Sequence, residues 1–240
     1  MSSAAVIGST GLVGSNILST LLAGDSYKPV MTITRRAPKS ESPNLNAVID
    51  ADTTKWADTL KSASPLPSTV FSALGTTRAA AGGIQNQWKI DHDLNIELAR
   101  AAKEAGVKTF VFISSGGTRG LGSSAMPYSK MKNGVEDTIK ELDFEHGIIV
   151  RPGLIMGERE KSRTGEGWFQ SIVNGLGKLS PGARDALAQD ADVIAKAAIQ
   201  AAKLAEQGKA PSKYWALERA DIIRLGRTEW KDETAAGTSA

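Results

Sequence analysis

Tyr128 and Lys132 stand four residues apart in PYSKMK, a spacing that sets a phenol and an ammonium on one face of a helix, one turn apart. In such a pair the ammonium draws the phenol's pKa down and can hold a ribose hydroxyl. The phenol can then protonate a carbonyl oxygen as hydride reaches the carbon. Ser115, just past the apolar run KTFVFIS, can aim a hydroxyl at the same oxygen, with Ser114 as its immediate rival. A polar helix start without chemistry shows the same spacing, so the reading depends on where the fold places these residues.

A second group of residues suits phosphate. Gly8, Gly11 and Gly14 form GxxGxxG in GSTGLVG, between an apolar run and a helical pattern, where backbone amides and a helix's positive end can hold a pyrophosphate. A plain tight turn carries the same glycines, and it is their position in the opening strand–helix unit that points to a dinucleotide. At the end of the next apolar run, NAD-preferring folds carry an acid for the ribose 2′-hydroxyl, whereas this chain has Arg35 and Arg36. A guanidinium fork matches a 2′-phosphate, so NADP(H) is predicted over NAD(H); an exposed basic pair at a loop start is the alternative. Asp50 and Asp52 follow the third run, where a carboxylate can read an adenine amino group or simply face solvent. In SALGTTR (72–78), Leu74, Gly75 and Thr76 offer a compact backbone able to pass beneath a nicotinamide ribose. Arg151, in RPG, is a candidate for holding substrate or for pairing with a structural carboxylate. Trp168, beside Phe169, is a candidate floor for an apolar substrate pocket. His92, between two acids, and His146, in a turn, are not taken as catalysts.

The elements that must position these groups follow from hydrophobic periodicity. Strands are predicted over 4–8, 30–34, 47–49, 69–74, 108–114 and 148–150, and helices over 12–23, 54–63, 84–105 and 127–142. Six strands alternating with helices, without a hairpin signal, predict an α/β fold: a Rossmann-like, doubly wound parallel sheet with right-handed crossovers. Beyond Gly153 the alternation lapses. Helices over 168–176 and 192–206 and a strand over 214–217 are read as a small C-terminal helical cap on the sheet's carboxyl edge. One NAD(P)-binding domain thus takes in residues 1–240, with 154–230 as the substrate cap and 231–240 as a frayed tail. The loop 115–125, rich in glycine and serine, is expected to be mobile and to close over the cofactor together with the cap.

Composition removes other classes. The 240 residues contain no Cys and two His, so thiol nucleophiles, zinc ribbons and three-histidine metal sites are excluded and no metal is expected. Net charge is +3, from 29 basic and 26 acidic residues spread along the chain, which is not a nucleic-acid footprint. No apolar run reaches the ~20 residues of a membrane-spanning helix. An apolar segment starting at Ala4 is expected to leave no room for a cleavable leader.

GSTGLVG, SALGTTR, the SSGG loop, YSKMK and RPGLIMGEREKSRTGE together resemble the atypical short-chain dehydrogenases related to the human Tat-interacting oxidoreductase and to fungal proteins of the mitochondrial outer membrane, over residues 4–206. The resemblance implies an NADPH-binding Rossmann fold with Ser115, Tyr128 and Lys132 in the catalytic places. It also puts Gly8, Ser9, Thr10, Gly11, Leu12, Val13, Arg35 and Arg36 at the cofactor. It further implies a cytosol-facing, peripheral attachment to the outer mitochondrial membrane. Lys161 departs from the family's ESR-like segment, and neither a substrate nor an oligomeric state follows. Two functions are carried forward: reduction of a carbonyl by NADPH, and an NADPH-bound sensor or protein-binding module with little turnover.

Overall fold

Strands in a sheet covered by helices on both faces must be apolar along nearly their whole length. β1 (Ser2–Ile7), β2 (Tyr27–Thr34), β4 (Thr69–Ser72), β5 (Thr109–Ile113) and β6 (His146–Val150) are buried along nearly their whole length, the side chains of Thr32, Thr69 and Ser72 included; β3 (Leu45–Ile49), on the sheet's outer edge, is half-exposed. The computed structural model describes residues 2–157, Asp185 and residues 187–231. All of these strands are parallel, and a seventh, β9 (Tyr214–Leu217), pairs with β6, giving the order β3-β2-β1-β4-β5-β6-β9. Chain order reverses between β1 and β4, and the crevice outside their carboxyl ends is where such sheets take ligands.

Alternate residues of each strand serve two cores. Val6, Phe71, Val111 and Ile148 pack beneath α1 (Leu12–Ala23) and α7 (Ala191–Glu206). Ile7, Val70, Phe110 and Phe112 pack beneath α2 (Trp56–Lys61), α5 (Leu94–Ala105) and α6 (Pro127–Glu141). Two short helices, α3 (Arg78–Ala81) and α4 (Ile84–Trp88), precede α5, and α8 (Arg219–Ile223) follows β9.

Three sequence expectations change. The helix expected over 192–206 is not part of a cap: as α7 it lies on the sheet beside α1, its alanines at 191, 195, 198, 202 and 205 permitting close approach. The strand over 214–217 likewise joins the main sheet. The helix expected over 84–105 is interrupted by a π turn at Lys89–Asp93, where the Leu94 N–H reaches back to Lys89 O. An unpredicted two-stranded parallel sheet, β7 (Leu154–Met156) with β8 (Ala188–Asp190), lies past β6. Trp168, Phe169, the helix over 168–176, the 159–166 segment and residues 232–240 lie outside the described residues. Among the described residues no helix is long and apolar enough to cross a membrane.

Candidate functional site

Between β1 and α1 the chain turns through Gly8 at φ +83°, the left-handed region that side chains disfavour. A Cβ there would sit 2.7 Å from the backbone of Ala73 and Leu74, and one on Gly14 would sit 2.1 Å from Gly8 O. The turn is therefore pressed against the chain leaving β4, with room only for hydrogen. Gly11 caps α1 without a side chain, and no acid lies in the first turn, so the helix's leading amides are left for a ligand. Thr10 and Gly11 are exposed and Leu12 is half-exposed, while the side chains of Val13 and Ser9 are buried. Ser9 Oγ lies 2.6 Å from Thr32 Oγ1. Arg35 and Arg36 stand exposed where β2 ends, with no ion pair among the described residues. Asp50 adjoins them at the end of β3: its N–H donates to Thr34 O at 2.9 Å, and its carboxylate accepts the Asp52 N–H at 2.8 Å. A cradle that a Cβ would fill, an uncapped helix start and two guanidinium groups without an ion pair among the described residues fit a nicotinamide dinucleotide.

α6 begins with Pro127, which has no amide hydrogen to lose at a helix start, and it sets Tyr128, Lys132 and Glu136 on one face at successive turns. The Ser115 side chain lies beside Tyr128. Ser114, by contrast, is buried and donates to Glu136. The Lys132 ammonium is buried, donates to Ile113 O at 3.1 Å and lies 4.7 Å from the centroid of the Phe112 ring. Burial pushes Lys132 down from its ordinary pKa, against the pull of the Asp91 and Glu136 charges. Tyr128 departs from the sequence expectation, because its pKa is raised. Desolvation is the largest cause, the nearby Ser115 hydroxyl opposes it, and the Asp91 charge adds to it, although the residue as a whole is 42% exposed. A raised phenol pKa keeps the proton on Tyr128 at neutral pH.

Residues 74–76 are held by two side chains that the sequence reading did not single out. Asp91, in the π turn, accepts the Thr76 N–H at 2.6 Å, and Gln87 Nε2 donates to Thr76 O at 3.2 Å. Asn95 accepts the Ser72 hydroxyl at 2.7 Å and donates to the Ile90 carbonyl at 3.1 Å, one of the groups the π turn leaves unpaired. Leu74, Gly75 and Thr76 are thereby fixed beside the glycine turn.

Arg151, with two roles open in the sequence, is held by carboxylates. Its Nε and Nη2 donate to Glu136 at 3.2 and 2.6 Å, and its Nη1 to Glu218 at 2.8 Å. These contacts fill the structural role, with Nε, Nη1 and Nη2 all engaged by Glu136 and Glu218. Arg119 reaches the same Glu136 from the 115–125 loop, with Nε at 2.9 Å, and its Nη2 meets Asp137 at 2.6 Å. The loop expected to be mobile throughout is thus docked in its first half, where Asn133 also donates to Thr118 O at 3.0 Å. Among the described residues no cluster of His, Asp and Glu could hold a metal ion.

This geometry agrees with what the chain is similar to. The profile of the NAD dependent epimerase/dehydratase family matches residues 4–187. Protein fmp52-2, mitochondrial, of Aspergillus terreus is 63% identical, with 97% of this chain and all of that one covered. Protein fmp-52, mitochondrial, of Neurospora crassa is 61% identical over 96% of this chain and 97% of that one. In fold, the chain matches the Bordetella bronchiseptica enzyme WbmH, solved with NAD+, at a TM-score of 0.65 and 18% identity, over 90% of this chain and 75% of that one. It also matches a UDP-glucose 4-epimerase of Thermotoga maritima at 0.60 and 16% identity, over 92% and 87%. The chain belongs to the NAD dependent epimerase/dehydratase family, and within it to the fmp52-like proteins.

Proposed function

We propose that the protein is an NADPH-dependent oxidoreductase of the short-chain dehydrogenase type that reduces the carbonyl of a small, hydrophobic molecule. The observation that carries this reading is Tyr128 standing one helical turn from the buried Lys132 and beside the Ser115 side chain, on the same sheet edge as the glycine turn. NADPH, when bound, supplies hydride. Tyr128 holds the proton for the substrate oxygen, Ser115 orients that oxygen, and Lys132 contributes positive charge where negative charge develops. Exposed Met126, next to Tyr128, favours an apolar substrate. The fold neighbours WbmH and MoeE5 were solved with NAD; the preference for NADPH here rests on Arg35 and Arg36. The likeness to the Tat-interacting oxidoreductases, and peripheral attachment to the cytosolic face of the outer mitochondrial membrane, belong to the same reading. It is supported by shared motifs and by the relatives' mitochondrial names.

The test is NADPH oxidation across aldehydes, ketones and quinones, with Tyr128→Phe beside the native chain. The variant is expected to bind NADPH normally and to lose at least ~100-fold in turnover, the usual worth of a positioned general acid. Tight NADPH binding without turnover on any carbonyl would replace the reductase reading with the sensor one.

A further inference from the structure

The π turn that breaks the long helix carries a buried carboxylate, Asp91, which is 1% exposed. Its Oδ1 accepts the Thr76 N–H at 2.6 Å and its Oδ2 accepts Gln87 Nε2–H at 3.1 Å. A neutral amide oxygen could take the Thr76 bond, so these contacts alone do not call for a charge. A charge buried this deeply is retained where an opposite charge faces it. The π turn packs against α6 so closely that a Cβ on Gly134 would sit 2.5 Å from His92 Nε2, and across this junction the Asp91 charge acts on Lys132 and Tyr128 from beyond ion-pair contact. The other groups around the ammonium are Ile113 O, the Phe112 ring and Glu136. Glu136 is already engaged by Arg119 and Arg151. That leaves Asp91 as the carboxylate whose charge is available to Lys132.

We propose that Asp91 is a positioning residue that couples the 74–76 backbone to Lys132, one oxygen fixing Thr76 while the charge serves as counter-ion to the ammonium. The proposal rests on the reading of Tyr128 and Lys132 as the reacting pair. Lys132 then stays protonated to higher pH than burial alone allows, and the loop beneath the nicotinamide ribose is set by the group that sets the lysine.

The experiment titrates Lys132 directly in the full chain, by NMR of ¹³Cε-labelled lysine, with the resonance assigned by its loss in Lys132→Met. In Asp91→Asn, which keeps the volume and the acceptor for Thr76, the Lys132 midpoint is expected to fall by about one pH unit or more, a tenfold loss in proton affinity. Gln87→Leu, which removes the hydrogen bonds to Thr76 O and Asp91 Oδ2 but no charge, is expected to leave it in place. Coupling is reciprocal, so in Lys132→Met the Asp91 ¹³Cγ midpoint is expected to rise by the same amount, which decides the matter if Asp91→Asn does not fold. If activity is found, the alkaline limb of kcat/KM moves down with the lysine. An unchanged Lys132 midpoint in Asp91→Asn, or an unchanged Asp91 midpoint in Lys132→Met, would overturn the proposal and leave Asp91 a hydrogen-bonding strut. Neither titration needs turnover, so a chain that reduces nothing would defeat the reductase reading and leave this one standing.

Discussion

Replacing Glu136 by Gln removes one charge from a fully buried side chain and leaves its shape almost unchanged. The native carboxylate accepts from Ser114, from Arg119 and twice from Arg151. Arg119 is 39% exposed and keeps Asp137, so its share is that of a surface pair, at most ~1 kcal/mol. Arg151 is 17% exposed and keeps only Glu218 at the rim. Losing one partner of a buried pair costs about 3–5 kcal/mol, and because Gln still offers one acceptor the low end applies, about 3 kcal/mol. At roughly 2–4 °C per kcal/mol for a chain of this size, Tm should fall by roughly 6–12 °C. The pH dependence follows from the direction of the shift. Burial pushes the Glu136 pKa up, but the hydrogen bonds from Arg151, Ser114 and Arg119 outweigh it, and the group ends below its ordinary 4.5. Its stabilisation is therefore full above pH 4.5 and fades as pH falls through the folded-state value. Urea unfolding of both chains at pH 7 and below pH 4 measures the difference. A loss under about 1 kcal/mol at pH 7, or one that persists undiminished in acid, would refute the claim that this charge organises the sheet's carboxyl edge.

Two further outcomes are expected. Calorimetry should show NADPH bound roughly ten- to a hundredfold more tightly than NADH, the worth of charged hydrogen bonds of ~1.5–3 kcal/mol, and Arg35→Ala with Arg36→Ala should erase the difference; equal native affinities would remove the NADP assignment. Hydrogen exchange should divide the 115–125 loop, slow at Gly116, whose N–H donates to Pro152 O at 2.6 Å, and fast from Gly120 onward, where Leu121 is fully exposed; uniform exchange would show that Arg119 does not dock it.

The sheet was legible because its strands are buried on both faces: KTFVFIS can hardly be anything but a central parallel strand, and the glycine turn lies between two unambiguous elements. The end of the chain misled for a physical reason. Four residues, YWAL, are too few to declare which sheet they join, and an alanine-rich helix looks alike whether it covers a sheet or caps a cleft. Tyr128 and Lys132 announced themselves by spacing, but Asp91, Asn95 and Glu136 are polar residues inside helices, indistinguishable in sequence from solvated ones. A π turn has no composition signature, and Glu136 becomes recognisable only once Arg119 and Arg151 arrive from a loop and a strand end. Arg151 carried two readings until its partners were known.

The pairing of β9 with β6, and of α7 with α1, has a temporal meaning. The match to the family profile stops at residue 187, before α7 begins, so one face of the sheet and one edge are completed by the chain's last segment. On the ribosome, β6 is finished at Val150, yet its outer edge stays unpaired until Leu217 has been made, 67 residues later (217 − 150). At ~5–20 residues per second that is roughly 3–13 s during which an apolar strand edge remains wet, and for most of it the flank of α1 that α7 covers is open as well. The nascent chain therefore passes through an interval of exposed, stickier surface that ends only at its final elements, and chaperones acting on it would find their work between those two moments of synthesis.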